Sequence, residues 1–170
     1  MNNLASSYDV VGIGNAIVDV ISHENEEFLL RHDLVKNSMS LVDEQTALAI
    51  YNDMRPAIQT SGGSVANTMA GVASLGASTG YIGKVRNDQL GELFVHDIEA
   101  AGVDHLVAPA STGLPTARSM VVVTPDGART MNTFLGASST LYTEDIDTEK
   151  VATSNFLYCE GYIWDIETTK

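Results

Sequence analysis

The sequence predicts an α/β fold that combines a mostly parallel sheet with a small antiparallel sheet. In the first hundred residues, short apolar runs alternate with helical patterns, as in parallel strands joined by helices. After residue 113, two β-rich runs flank the tight-turn sequence TPDG (124–127), which predicts a hairpin. With 170 residues, of which 44% are hydrophobic and 18% charged, the chain can form an ordered core.

Strand and helix patterns follow one another from the start of the chain. The run YDVVGIG (8–14) is short, apolar and closed by glycine, which is typical of a buried strand. Two helices are expected next, ENEEFLLRHDL (24–34) and a second that begins at its N-cap Asp43 and ends at Pro56. The alternation continues beyond them.

A third helix is expected within SGGSVANTMAGVASLG (61–76). Ser64 is its expected N-cap, and Gly76 follows its last turn. The strand TGYIGKV (79–85) comes next, and Asp88 caps a further helix. The order through this region is therefore βαβα.

The hairpin arms are TARSMVVV (116–123) and ARTMNTFL (128–135). We expect them to form a small antiparallel sheet that the stretch 36–42 joins. NFLYCEGYIW (155–164) then returns to an apolar strand pattern, in which Cys159 is expected to be buried. A single cysteine excludes an internal disulfide framework and suits a reducing compartment.

Charge and hydropathy exclude two classes of partner. The formal net charge of −13 argues against nucleic acid, because phosphate backbones are bound by clustered Lys and Arg. The first ten residues lack the pattern of a secretory signal, and no run approaches the ~18 apolar residues of a membrane span. We therefore expect a cytoplasmic protein without a membrane partner.

The first candidate cluster is GIGNAIVD (12–19). It is superficially similar to a dinucleotide-binding fingerprint, but Ile17 occupies the position of the third glycine, which argues against such a site. Asn15 and Asp19 are expected just past the buried strand, where a carboxylate and an amide suit vicinal hydroxyls. The alternative is that Asp19 only caps a turn.

The second cluster contains Gly62, Gly63 and Asn67. The glycines allow the main chain to come close to a ligand, and Asn67 lies in the first helical turn beside the free N–H groups. The alternative is an ordinary glycine-rich turn with a solvent-facing asparagine. The pattern thus indicates a ligand rich in hydroxyl groups, either a nucleoside or a sugar.

The third cluster is CEGYIWD (159–165), in which Glu160 follows an apolar strand. Its carboxylate is either a ligand group or a structural acceptor for backbone N–H groups, and the sequence does not separate these. No metal-ligand spacing joins Cys159 to the four histidines, which are expected in solvated or core positions; they are His23, His32, His96 and His105.

The segment GGSVANTMAGVASLGASTGYIGKV (62–85) resembles the N-terminal signature of the ribokinase-like, or PfkB, family of carbohydrate and nucleoside kinases. GIGNAIVD resembles that family's first strand with its substrate-contacting Asp, KVRNDQLG its next strand-to-helix step, and TPDGARTMNTFLGA its lid hairpin. Arg86 departs from the family, which usually has glycine there. The pair GN before the Asp, with RTMNTFLGAS, leans toward adenosine-kinase-like members.

The resemblance implies a ribokinase-like three-layer αβα fold with a mostly parallel sheet and a small antiparallel lid, whose strands lie near 36–42 and 116–135. It also implies that residues 1–170 are the N-terminal, substrate-binding part of a kinase domain about twice as long. The family's catalytic base lies in a GAGD-type motif that these residues lack, so the chain is expected to be truncated. ATP and Mg are implied as cofactors, with most of the ATP site outside this chain and no metal ligands within it.

The resemblance also assigns roles to individual residues. Arg129 is a candidate contact for the transferred phosphate, although a solvated cation is an equal alternative. Met131 and Thr133 are expected near the base or aglycone. The residues expected to hold the sugar hydroxyls are Asn15, Asp19, Gly62, Gly63 and Asn67.

These expectations together describe part of an ATP-dependent kinase that phosphorylates the primary hydroxyl of an adenosine-like nucleoside or a sugar. Alone, the chain is expected to be inactive and to need its C-terminal half, and a homodimer through the lid is conceivable. Two alternatives stay open: a sugar kinase of the fructokinase or ribokinase type, and a non-catalytic sugar- or nucleoside-binding module.

Overall fold

The computed structural model describes residues 7–165 and 167. The strands of this part are β1 Val10–Ile13, β2 Ile17–His23, β3 Met39–Leu41, β4 Ile58–Gly62, β5 Thr79–Ile82, β6 Val103–His105, β7 Ala117–Val123, β8 Arg129–Phe134 and β9 Phe156–Cys159. The α-helices are α1 Glu26–Arg31, α2 Glu44–Asp53, α3 Ser64–Ser74, α4 Gln89–Ala100 and α5 Thr148–Ala152. Short 3₁₀ helices span Gly136–Thr140, Thr143–Asp145 and Gly161–Asp165. Within these limits, the chain contains no helix with the length and hydropathy of a membrane span.

The strands form two sheets. The first sheet has the order β6-β5-β1-β9, and all of its pairs are parallel. The second sheet has the order β3-β8-β7-β2-β4 and is mixed, with parallel pairs β2–β7 and β3–β8 and antiparallel pairs β2–β4 and β7–β8. The predicted hairpin is therefore present, but the sheet that contains it is larger than expected and not purely antiparallel.

Helix α3 packs closely on the first sheet because β1 carries a glycine at the contact. A Cβ atom added at Gly12 would lie 2.5 Å from Val65 Cγ1 and 2.8 Å from Met69 Cγ. Val65 and Met69 are buried in the same core cluster as Tyr81 and Phe94, which joins α3 and α4 to the strands. This contact places the N-terminus of α3 beside the carboxyl end of β1.

The second sheet has two faces of different character, because successive side chains of a strand point to opposite sides. The helix face, defined by Val18, Val20, Met120, Val122 and Phe134, is buried in cores that also contain residues of α1, α2 and α4. The cavity face carries the alternate residues of the same strands. It lines the cavity described below.

Several predicted helix ends are confirmed. Asp43 accepts a hydrogen bond from the backbone N–H of Thr46, and Asp88 accepts one from Gly91, as N-caps do. The prediction that Ser64 caps α3 is wrong, because Ser64 is the first residue of that helix and the N-cap is Gly63. The Ser64 hydroxyl instead donates to a buried carboxylate.

Three strands were missed, and the shortest of them is the three-residue β6. The segment Ile17–His23 alternates half-buried and buried residues, so a period of two marks β2, whereas β4 is too polar to stand out. The region 36–42 does join the sheet, because β3 pairs with β8. The expectation of a buried Cys159 is wrong: β9 pairs only with β1 among the described residues, and this cysteine is exposed.

Candidate functional site

A cavity of about 470 Å³ lies between the cavity face of the second sheet and the N-terminus of α3. Most of the residues predicted to bind a substrate line it, and these are Asn15, Asp19, Gly63, Asn67, Met131, Thr133 and Glu160. Further lining residues that sequence reasoning missed are Ile17, Met39, Leu41, Ser64, Ser119, Leu135, Tyr162 and Asp165. These seven residues are thus brought together, whereas the predicted Gly62 does not line the cavity and lies against the carboxylate of Asp19. Contact of any of them with a ligand stays a prediction.

Asn15 lies in the three-residue connection between β1 and β2, where the chain passes from one sheet to the other. Its side chain is buried, with 5% exposed. Its backbone N–H donates to Glu160 Oε1 at 2.7 Å, and its Nδ2 donates to the same oxygen at 2.5 Å. Its Oδ1 is buried and has no hydrogen-bond partner within residues 7–165 and 167.

Asp19 lies within β2, not past the end of the opening strand as predicted. Its carboxylate lies directly over Gly62, since a Cβ atom there would come 2.5 Å from Asp19 Oδ2. Burial raises the pKa of this carboxyl, and the positive charge of Arg129 partly offsets that rise. No side chain or backbone N–H in residues 7–165 and 167 donates a hydrogen bond to this carboxylate, so Asp19 does not cap a turn.

The N-terminus of α3 borders the cavity without a side-chain cap. Its N-cap Gly63 has a φ of +98°, and a Cβ atom there would lie 2.5 Å from the carbonyl oxygen of Asn15. Only glycine combines this backbone conformation with so close an approach. The first-turn N–H groups therefore retain capacity to bind an oxygen atom of a ligand, and Asn67 is exposed one turn above them.

Strand register produces a gradient of polarity across the cavity face. Asp19 pairs with Ser119, Ser119 with Thr133, and Thr133 with Leu41, so these four residues form one row. Thr133 Oγ1 donates to Ser119 Oγ at 3.0 Å. The row therefore runs from a carboxylate through two hydroxyls to an aliphatic side chain. Ser119 could have been found from sequence by pairing the two hairpin arms around TPDG.

The sequence left two interpretations open for Arg129 and two for Glu160. Arg129 is the first residue of β8, it is exposed, and it is not among the residues that line the cavity. Glu160 is 5% exposed and accepts hydrogen bonds with both carboxylate oxygens. The geometry therefore favours a structural acceptor at Glu160, whereas a phosphate contact by Arg129 stays a prediction.

Metal-ligating side chains do not cluster in the described part of the chain: no three His, Cys, Asp or Glu come together there as a metal ion would require. A second surface depression, of about 310 Å³, contains none of the predicted site residues. It lies along α4 and is lined by Asn87, Glu92, Val95, His96, Glu99 and Pro109.

A family model described as pfkB family carbohydrate kinase matches residues 54–167. The chain belongs to this family. The matched segment includes Gly62, Gly63, Asn67 and the whole hairpin, and it contains ten of the fifteen residues that line the cavity. Asn15 and Asp19 lie before the matched segment.

Two solved structures are similar to nearly the whole chain. The adenosine kinase from Sinorhizobium meliloti superposes with a TM-score of 0.88 at 49% identity, covering 96% of this chain and 50% of that one. A probable sugar kinase protein from Rhizobium etli superposes with a TM-score of 0.87 at 48% identity, covering 95% and 49%. The adenosine kinase of Saccharomyces cerevisiae is 26% identical over 163 residues, which are 90% of this chain and 47% of that protein.

These similarities confirm the ribokinase-like α/β architecture that the sequence predicts. The chain spans about half the length of these relatives. Their names include both a nucleoside kinase and a sugar kinase, so the comparisons support a kinase of this family without selecting the acceptor.

Proposed function

We propose that this chain is the acceptor-binding part of an ATP-dependent kinase that phosphorylates the primary hydroxyl of an adenosine-like nucleoside. The observation that carries the proposal is the polarity gradient of the cavity, which has hydroxyl-binding groups at one end and aliphatic side chains at the other. A nucleoside has the same division, between its ribose and its base.

The polar end suits a ribose because its groups are free to accept hydrogen bonds. No described residue donates a hydrogen bond to the carboxylate of Asp19, and Asn15 Oδ1 is unpaired within the described residues. Burying an acceptor without a hydrogen-bond partner costs free energy, and a hydrogen bond from a ligand hydroxyl removes that cost. Asn67 and the N–H groups of α3 add donors on the opposite wall.

The apolar end suits a base because its aliphatic side chains offer apolar surface against which a ring can pack. Met131 pairs with Met39, and Thr133 pairs with Leu41, so the two methionines and the leucine are neighbours in the sheet. Met39 and Leu41 are 50% and 63% exposed, which is unusual for apolar side chains that line a cavity. Covering them with an aromatic base removes apolar surface from water.

The phosphoryl donor is proposed to be ATP with Mg, which supplies the transferred phosphate when bound. The chain spans about half the length of its relatives, so we propose that a further half of the kinase provides most of the donor site. Phe156, Leu157 and Tyr158 of β9 are 70%, 50% and 43% exposed beside the cavity-forming Glu160. We propose that this strand is where that further half continues the first sheet. Arg129, whose positive charge acts on Asp19, is proposed to contact the phosphate.

The experiment that tests this function compares adenosine, ribose and fructose as acceptors in the complete protein that contains this chain. We expect adenosine to be phosphorylated with the highest kcat/KM, and the isolated 170 residues to show negligible turnover. The Asp19→Asn variant should keep the fold and raise KM for adenosine by roughly tenfold or more, because a hydrogen bond to a charged group contributes about 1.5–3 kcal/mol. Unchanged affinity would remove Asp19 from the site.

A sugar kinase is the second candidate, and the similarity to the probable sugar kinase from Rhizobium etli favours it. A preference for fructose or ribose over adenosine in the same assay would establish that candidate. Binding without turnover in the complete protein, measured by calorimetry, would instead indicate a non-catalytic module.

A further inference from the structure

Glu160 connects three distant segments of the chain at the edge of the cavity. It follows β9, its Oε1 accepts from the backbone and side chain of Asn15, and its Oε2 accepts from the hydroxyl of Ser64 at the start of α3. We propose that Glu160 is a positioning residue. It holds the side-chain amide of Asn15 in the orientation that leaves the amide oxygen, and not the NH₂ group, available to the acceptor substrate. This inference rests on the proposed function, because it concerns the selectivity of the same cavity.

The orientation of Asn15 follows from the chemistry of its partner. An ionised carboxylate only accepts hydrogen bonds, so the NH₂ group of Asn15 turns toward Glu160 and its oxygen turns away. The oxygen is the atom that is buried and unpaired among the described residues. If Asn15 were free to rotate, it could offer a donor instead, so Glu160 decides which of the two groups remains free.

The surrounding backbone leaves little room for a different arrangement. A Cβ atom at Gly14 would lie 2.8 Å from Glu160 Oε2 and 2.7 Å from Val65 Cγ2. The carbonyl oxygen of Gly14 accepts a hydrogen bond from the buried hydroxyl of Tyr81 at 3.0 Å. The main chain before Asn15 is thus held from one side by Tyr81 and from the other by Glu160.

The consequence for the substrate is a requirement for hydrogen-bond donors. Asn15 Oδ1 and the ionised Asp19 both accept, so a ligand that satisfies them must bring two donating groups to this end of the cavity. Free neighbouring hydroxyls meet that requirement. A substrate without them leaves both acceptors unpaired, and sites built to hydrogen-bond a hydroxyl reject analogues that lack it.

Glu24 provides a matched control in the same chain. It is also buried, with 6% exposed, and it also accepts hydrogen bonds from a hydroxyl and a backbone N–H, those of Ser22 and Arg55. It lies at the end of β2 and does not line the cavity. Replacing Glu24 therefore reproduces the loss of a buried carboxylate without touching Asn15.

The first measurement needs no ligand. In the 170-residue chain, hydrogen exchange of the Asn15 side-chain amide is followed by NMR in the unsubstituted protein and in Glu160→Ala, Glu160→Gln and Glu24→Ala. We expect slow exchange in the unsubstituted chain, in Glu160→Gln, which keeps an acceptor oxygen, and in Glu24→Ala, but at least tenfold faster exchange in Glu160→Ala. Equal exchange in all four would overturn the proposed contact. If Glu160→Ala does not fold, Glu160→Asp replaces it, because the shorter side chain withdraws the acceptor.

The second measurement is selectivity in the complete protein. The ratio of KM values for 2′,3′-dideoxyadenosine and adenosine is compared in the same variants, with kcat measured alongside. We expect the preference for adenosine to fall at least tenfold in Glu160→Ala, to persist in Glu160→Gln, and to be unchanged in Glu24→Ala despite its lower thermal midpoint. A retained preference in a folded Glu160→Ala would refute the positioning role. If the unsubstituted protein uses no nucleoside, the proposed function fails, and the NMR exchange rates still decide the role of Glu160.

Discussion

The helix face and the cavity face of the second sheet are built by the same strands, but they are covered in different ways. On the helix face, Met120 and Val122 are completely buried beside Phe28 and Ile50. On the cavity face, Asp19 and Met131 remain partly exposed above a cavity. One face is therefore covered by the chain itself, whereas the other stays open to a cavity.

The comparison of the two faces separates the residues that stabilise the fold from those that remain available for binding. The helix face consists of apolar residues that gain stability by packing against each other. The cavity face includes a carboxylate whose pKa is raised by burial, which means that its charged form is disfavoured where it lies. A residue that costs stability in the free protein is a candidate for function.

The largest expected effect comes from a matched pair of methionine substitutions. Met120→Ala should lower the free energy of unfolding by about 2–5 kcal/mol, because it opens a hole in a core with 0% exposure. Met131→Ala on the cavity face should cost about 1 kcal/mol or less and should instead raise KM for adenosine. Denaturant unfolding and steady-state kinetics measure the two quantities. Equal stability losses would show that the two faces do not differ as described.

A smaller effect is expected from glycine substitutions in and before α3. Gly62→Ala should weaken acceptor binding by roughly tenfold, because the new methyl group displaces the carboxylate of Asp19 that now lies 2.5 Å from its position. Gly71→Ala is the control, since a Cβ atom there meets nothing within 4 Å. That change should raise the thermal midpoint, because alanine favours a helix interior by about 1 kcal/mol over glycine.

The smallest expected effect is on the pH dependence of stability. The pKa of Asp19 is raised in the folded state, so the folded protein binds this proton more tightly than the unfolded chain. The associated stability is present at low pH and is lost as the pH rises through the raised pKa. Asp19→Asn should therefore gain thermal stability relative to the unsubstituted protein as the pH increases from about 3 to 7. A constant difference in melting temperature across that range would contradict the raised pKa.

The sequence predicts those parts of the fold that local patterns determine. Asp43 and Asp88 are capping residues with the expected partners, and TPDG forms the expected turn between β7 and β8. The polar strand β4 was missed because its five residues, IQTSG, show no alternation of apolar and polar side chains. It is a strand because it pairs with β2, which is distant in sequence.

In the candidate site, too, the sequence predicts only what local patterns determine. Asn15, Asp19 and Asn67 were identified from residue type and position, and they line one cavity. Ser119 was missed although the register of the predicted hairpin pairs it with Thr133. The partners of Glu160 could not be predicted, because these contacts depend on the packing of distant segments. Residues that act through a contact distant in sequence leave no local signal.

The contact between Asn15 and Glu160 joins residues that are 145 positions apart. During synthesis on the ribosome, β1 and the connection from β1 to β2 emerge long before Glu160, which accepts the hydrogen bonds of Asn15. A nascent chain shorter than this span has a free amide at position 15 and an unpaired edge on β1. The proposed acceptor site is therefore completed late in biogenesis, only when β9 docks.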